Sequence, residues 1–387
     1  MKVLMINVVC GIRSTGRICT DLATALEKQG HDVKIAYGRE SVPEKYKHFA
    51  VKIGNDLGVK LHALKARLFD SSGFGSKLAT KKFIRWVKEY DPDVIHLHNL
   101  HGYYINIEIL FNYLRTCGKK VIWTLHDCWA FTGHCVYFDY VGCDKWKSQC
   151  GNCPQKNEYP SSLIWDRSKQ NYIRKKALFT DIPDMTVVTP SEWLAGLVKK
   201  SYMAKYHVEV VHNGVDTNIF KPTKSDLRER YSLQNKKIIL GVAAIWDKRK
   251  WLDSFIELSK KLDESYQIVL VGLSADQIKE LPENITGIVK TNSPEQLAAI
   301  YTMADLFINP TLEDNYPTTN LEARACGTPV ITYDTGGSVE SADVVVKKGD
   351  IPGLVEVIKS IFLIDFKQIS LESGNTVERY AALYEKE

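Results

Sequence analysis

Short apolar runs alternate along the chain with longer stretches of mixed polarity, and the alternation persists almost from end to end. Unbroken apolar runs suit buried parallel strands, and apolar residues spaced by three or four suit the helices that cover them. Residues 3–9 read as a first strand, 11–17 as a glycine-bearing turn and 18–29 as a helix stopped by Gly30. Strands follow at 33–37, 94–98, 121–125 and 186–189, the last leading into Pro190-Ser191-Glu192-Trp193-Leu194, a capped helix start. After His212-Asn213-Gly214-Val215-Asp216 a second series begins. It reads as strand 237–245, helix 252–262, strand 267–271 closed by Gly272, a short strand around Ile288, helix 294–303, and strands 306–309 and 330–333. Asn213-Gly214 is expected to supply positive φ for a tight turn. The whole predicts an α/β chain of two doubly wound parallel-sheet domains, with ligand sites at the carboxyl ends of strands. Three pieces are expected: 1–208 with a Cys-rich insertion at 128–160, 209–368, and a helix-like tail at 369–387.

The run Glu313-Asp314-Asn315-Tyr316-Pro317-Thr318-Thr319-Asn320-Leu321-Glu322 follows one of these strands and reads as acidic turn, then helix. Asn315 suits the N-cap and Pro317 the first turn. The amides of Thr318 and Thr319 would then face the turn, ready for an anion or a sugar hydroxyl. Glu322 lies four residues beyond Thr318, on the same helical face. A carboxylate there can accept two hydrogen bonds from the vicinal diol of a ribose.

A chain of 387 residues is long enough for two or three domains, and 44% hydrophobic with 25% charged residues is ordinary for a globular protein. No apolar run reaches the roughly 18 residues of a membrane span. The opening apolar stretch is too short for a signal peptide, so a cytoplasmic location is expected. A net charge of +5 fits phosphate-bearing ligands or an anionic membrane surface, and no nucleic-acid partner is expected.

The spacing Asp314-x7-Glu322, followed by Ala323 and by Gly327-Thr328-Pro329-Val330, resembles the E-x7-E signature of retaining glycosyltransferase family 4. That resemblance implies two Rossmann-like domains facing across a cleft, the GT-B architecture. It assigns the first acid to the donor sugar and the second to the nucleotide ribose. Here Asp314 holds the first position by register, with Glu313 beside it. Trp123-Thr124-Leu125-His126-Asp127 resembles the family's T-x-H-D motif, which implies that His126 contacts the donor sugar. Gly11 and Gly16 resemble the glycine loop near the donor diphosphate. Trp246-Asp247-Lys248-Arg249-Lys250-Trp251 resembles the basic turn that neutralises that diphosphate. The family's Arg five residues before the Lys is missing, since Ile245 stands there. Arg249 is the expected replacement and Lys250 the phosphate ligand. Gly16, Tyr316, Thr318 and Thr319 complete the expected donor contacts. In the family the terminal helix crosses back onto the first domain.

Five of the nine cysteines fall within 128–153, and Cys135-x7-Cys143-x6-Cys150-x2-Cys153 ends in a C-x2-C pair. A tetrahedral zinc site is expected there, with His134 as a spare ligand; buried free thiols and disulfides are the alternatives. Bases and apolar residues also mix between Lys60 and Lys88, as in a basic amphipathic helix lying on an anionic bilayer or one packed on the sheet. The expected activity is retaining, metal-independent transfer of a sugar from a nucleotide-diphosphate sugar, a uridine one by family habit. The acceptor is a glycan or an undecaprenyl-diphosphate-linked saccharide of surface polysaccharide assembly. A sugar-nucleotide 2-epimerase and a non-catalytic nucleotide- or glycan-binding partner are the other readings.

Overall fold

The computed structural model describes residues 1–362 and 376–386, in two compact units. One comprises residues 1–213 with the C-terminal helix; the other begins at Gly214 and is described as far as Phe362. The expected boundary at 208/209 would cut β7 (His207–Val210), which pairs with β6 (Met185–Thr189), so the chain leaves the first unit only after that strand. The expected boundary at 368/369 lies outside the described residues.

The first unit is built on seven parallel strands. The remaining five are β1 (Lys2–Asn7), β2 (Asp32–Tyr37), β3 (Ala50–Lys52), β4 (Val94–Leu97) and β5 (Lys120–Thr124). Their order is β3-β2-β1-β4-β5-β6-β7. β1 is an unbroken apolar run from Val3 to Ile6 and β4 is buried along its whole length, so they read as continuous runs rather than alternations. The first helix, Arg13–Lys28, turns Cys19, Leu22, Ala23 and Leu26 onto the sheet. It begins five residues before the expected start because Gly11, at φ +72°, already makes the turn. Gly16 therefore sits inside the helix, and its carbonyl accepts the Gly11 N–H at 3.1 Å. The helix ends in a Schellman arrangement: Gly30 N–H donates to Glu27 O, and His31 N–H to Leu26 O. Ser191 caps Glu192–Val198 by accepting from Leu194 N–H. Asn213 and Gly214 do not take positive φ. Beyond β7 the chain is tied to Thr189 and Pro190 through Val211 N–H and the His212 ring.

The C-terminal helix Thr376–Glu385 packs on this first unit. Tyr380, Leu383 and Tyr384 join the core formed by Val3, Met5, Leu22 and Leu26. Tyr384 OH meets His96 Nδ1 at 2.6 Å and Tyr380 OH meets Thr124 Oγ1 at 2.9 Å.

Among the described residues the second unit holds six parallel strands: β8 (Lys237–Val242), β9 (Tyr266–Val271), β10 (Ile285–Ile288), β11 (Leu306–Asn309), β12 (Val330–Tyr333) and β13 (Val344–Val346). Their order is β10-β9-β8-β11-β12-β13. β8 stops at Val242, three residues short of the expected end. There Ala243 O presses against Gly272, where any Cβ would stand 1.7 Å away. Instead of one basic amphipathic stretch, 60–88 divides between two helices, Asp56–Phe69 and Lys77–Tyr90. No helix among the described residues is long and apolar enough to cross a membrane.

Candidate active site

In the second sheet the strand order reverses direction between β8 and β11, and their carboxyl ends form the crevice where doubly wound sheets take ligands. The loop after β8 brings Arg249 and Lys250 to this point, and the loop after β11 brings 311–316. Backbone bonds stitch the two together. Leu312 N–H donates to Arg249 O at 2.7 Å, and Thr311 Oγ1 donates to the same carbonyl at 3.3 Å. Lys250 Nζ then pairs with Asp314 Oδ2 at 2.7 Å. The other Asp314 oxygen accepts the Asn315 N–H at 2.9 Å, and its carbonyl accepts the Gly337 N–H. Both side chains of the pair keep about a fifth of their surface open, so a ligand can reach them. Arg249 folds its guanidinium onto Asp247 Oδ2 at 3.0 and 3.2 Å. A further cation, Lys348, reaches in from beyond β13 to donate to Leu312 O at 3.2 Å. The sequence reading missed it, although Lys347-Lys348-Gly349 at the end of a strand was a signal.

The helix Thr318–Ala325 starts one residue after Pro317, which is its N-cap and makes no side-chain capping bond. Asn315 is therefore not the cap; Pro317 is extended at ψ 122°, and winding begins only after it. Glu322 is buried, and its Oε2 accepts from Tyr301 OH at 3.1 Å. Tyr301 lies on Pro294–Met303 and had not been singled out. Glu313 is also buried, whereas Asp314 is the acid that meets Lys250. Thr319 Oγ1 is buried without a hydrogen-bond partner. Burial pushes the Tyr316 phenol up to about 12, with Glu340 adding to the rise and Arg324 opposing it.

In the first sheet the reversal falls between β1 and β4. The Gly11 amide is already spent on Gly16 O, so the glycine loop is closed on itself. Beyond β4 and β5 the chain gathers three histidines and an aspartate. His126 Nε2 lies 3.0 Å from His98 Nδ1, with the rings stacked at 5.3 Å. Burial drives His126 down to about 4, with His101 adding and Asp127 opposing; His98 falls well below its usual value for the same reason. Both rings are thus neutral near pH 7, one nitrogen donating and the other accepting. His101 bridges Asp127 Oδ2 at 2.7 Å and Tyr159 OH at 3.1 Å. Burial alone would raise Asp127, but His101 and the Trp129 N–H hold it below the usual carboxylate value. His98 and His101 went unremarked in the sequence, where His96-Leu97-His98-Asn99-Leu100-His101 closes a buried strand.

Cys135, Cys143, Cys150 and Cys153 are free thiols that line one small cavity together with His134. No three His, Cys, Asp or Glu side chains among the described residues already stand in a metal-holding arrangement.

Residues 15–219 match the family model described as Glycosyltransferase Family 4, more than half of the chain. The chain belongs to Glycosyltransferase Family 4. This family 4 enzyme also matches, over 236–362, the model for Glycosyl transferases group 1. It is 25% identical to the putative colanic acid biosynthesis glycosyl transferase WcaC of Escherichia coli K12, across the full length of both. It is 24% identical to the alpha-monoglucosyldiacylglycerol synthase of Streptococcus pneumoniae, over 81% of this chain and 66% of that one. Among solved structures, sucrose-phosphate synthase from Thermosynechococcus elongatus superposes with a TM-score of 0.70 at 17% identity, covering 99% of this chain and 94% of that one. Anabaena Alr3699/HepE in complex with UDP-glucose does so at 0.64 and 15%, covering 99% and 95%. These likenesses show the GT-B fold of two Rossmann-like domains.

Proposed function

We propose that the enzyme is a retaining transferase that moves a sugar from a uridine-diphosphate sugar to a glycan or undecaprenyl-diphosphate-linked saccharide. The observation that carries this reading is the Lys250–Asp314 pair at the strand reversal, on the loop that leads into the helix bearing buried Glu322. Glu322, braced by Tyr301, takes the ribose diol. Asp314 takes hydroxyls of the transferred sugar. Lys250, with Arg249, Lys348 and the amides of Thr318 and Thr319, draws off the diphosphate. The ion pair orders both groups before the donor arrives, so little ordering remains for the transition state. Fixed ammonium and guanidinium groups meet the growing negative charge, so transfer proceeds without added metal ion. As the C1–O bond to phosphate breaks, the acceptor oxygen bonds C1 from the same face, and the departing phosphate takes its proton. On the first unit, His126 is assigned to a sugar hydroxyl.

The donor assignment draws support from the neighbour crystallised with UDP-glucose, and the pathway from the relative named for colanic acid biosynthesis. Lys250→Ala should lower kcat/KM by about 10²–10³, the loss typical of one transition-state contact, and Glu322→Ala should lower it chiefly by raising the donor KM. Full transfer activity in both variants overturns the assignment. Turnover of the donor without any acceptor would indicate an epimerase instead.

We also propose that the enzyme works at the inner face of a membrane. On Asp56–Phe69, Leu57, Leu61 and Leu64 are 65%, 60% and 56% exposed along one face, with Lys60 and Lys65 beside them. The second helix favours packing instead, since Phe83, Ile84 and Val87 are buried on the sheet. Flotation with liposomes should require anionic lipid and be lost in Leu61→Asp/Leu64→Asp. Equal flotation with neutral lipid refutes this placement.

A further inference from the structure

The loop 128–160 carries almost no regular structure beyond two single turns, Trp129–Phe131 and Lys145–Lys147. A segment of this length needs something to hold it. Part of the answer is aromatic: Phe138 stacks on Trp146 at 4.8 Å, and Phe131 meets Trp146 at 5.4 Å. Beside this small core lies a cavity of about 20 Å³, room for one small particle. All four cysteines of the C-x7-C-x6-C-x2-C pattern contribute to its wall.

Neutral thiols behave as small apolar groups and ask for no polar company. These thiols have it on several sides. Gly133 N–H donates to Cys150 Sγ at 3.2 Å, a short contact for sulfur. Cys135 and Cys153 are within hydrogen-bonding reach of each other. His134 is buried on the same wall; its Nδ1 meets Asp70 Oδ1 at 2.6 Å. Its Nε2 has no partner that meets hydrogen-bond geometry. Lys175, fully buried on the helix Ser168–Phe179, donates to Trp129 O and Thr132 O beside this cluster. Its Nζ lies 3.6 Å from the centre of the Trp129 ring, so carbonyls and an aromatic face hold the ammonium form in this buried position. Beside four thiolates around a divalent ion, which carry two net negative charges, it is well placed. The Asp70–His134 pair is the kind of carboxylate-backed imidazole that supports metal sites from just outside the ligand set.

We propose that the thiolates of Cys135, Cys143, Cys150 and Cys153 bind a structural zinc ion that staples the 128–160 loop, with Lys175 and His134 supplying N–H donors beside it. Four thiolates would take all four positions of a structural zinc ion and leave none for substrate, so the ion would serve to fold the loop. Binding drives off the thiol protons, one from each cysteine that retains it, and involves no redox change.

The test uses the full chain, purified under reducing conditions without chelator. Metal analysis should find about one zinc per chain, and a mercurial reagent should release it as the thiols are titrated. Exchange with Co2+ should give the intense visible bands and sulfur-to-metal charge-transfer absorption of a tetrahedral thiolate site. Both measurements use the unmutated protein, so they do not depend on a variant folding. Cys150→Ala and Cys153→Ala should lose the metal, whereas Cys117→Ala, outside the cluster, should keep it. Absence of zinc together with no Co2+ thiolate spectrum overturns the proposal, as does a disulfide within the cluster. Loss of metal in His134→Gln with retention in Cys143→Ala overturns the four-thiolate set. None of these readouts depends on transferase activity.

Discussion

Glu322 shows how a single side chain is made ready by its neighbour. A buried carboxylate is costly unless hydrogen-bonded, and Tyr301 supplies such a bond. Removing the phenol oxygen should weaken donor binding rather than chemistry, because the ribose lies away from the reacting carbon. Tyr301→Phe is expected to raise the donor KM by about 10- to 100-fold, in line with about 1.5–3 kcal/mol for a hydrogen bond to a charged group, and to leave kcat nearly unchanged. Steady-state kinetics with varied donor checks this; a fall in kcat with constant KM contradicts it. The sequence announced Asp314, Glu322 and Lys250 because their spacing is local. It was silent on Tyr301, Lys348, His98 and His101, whose importance comes from strands and helices far away in the chain. Asn315 misled because its type suits a cap, while the backbone of Pro317 decides where winding begins.

At the scale of elements, the strand runs and most helices were readable because buried parallel strands are apolar without interruption. Ends were less readable, since they depend on what the next loop touches. β8 is the clearest case: it stops where Ala243 O meets Gly272. At φ +96°, with no space for a Cβ, that position tolerates only glycine. Gly272→Ala should destabilise the protein by about 1–3 kcal/mol, read as a lower urea midpoint. It should also reduce activity, because the displaced loop carries Lys250. An unchanged midpoint would mean that this contact is slack.

For the molecule as a whole, the burial of neutral histidines makes stability depend on pH. His126 and His62 are held down at about 4 and His96 at about 3, chiefly by burial. Below their ordinary value near 6.5 the unfolded chain binds protons that the folded chain refuses. Stability present above that pH is therefore lost as the pH falls toward 4. Thermal melts should show Tm falling steadily between about pH 6.5 and 4, and His62→Gln should flatten the slope. A Tm constant across that window contradicts the burial seen here. The two-unit organisation was legible because the strand–helix series restarts after residue 212, and the packing of the terminal helix was legible only by resemblance. That helix has a temporal implication. Residues 376–385 leave the ribosome after the whole second unit has been synthesised, yet their tyrosines bond to His96 and Thr124 inside the first. Until then those two polar groups, 2.8 Å apart, have each other but not their tyrosine partners, so the amino-terminal unit is completed last, not first.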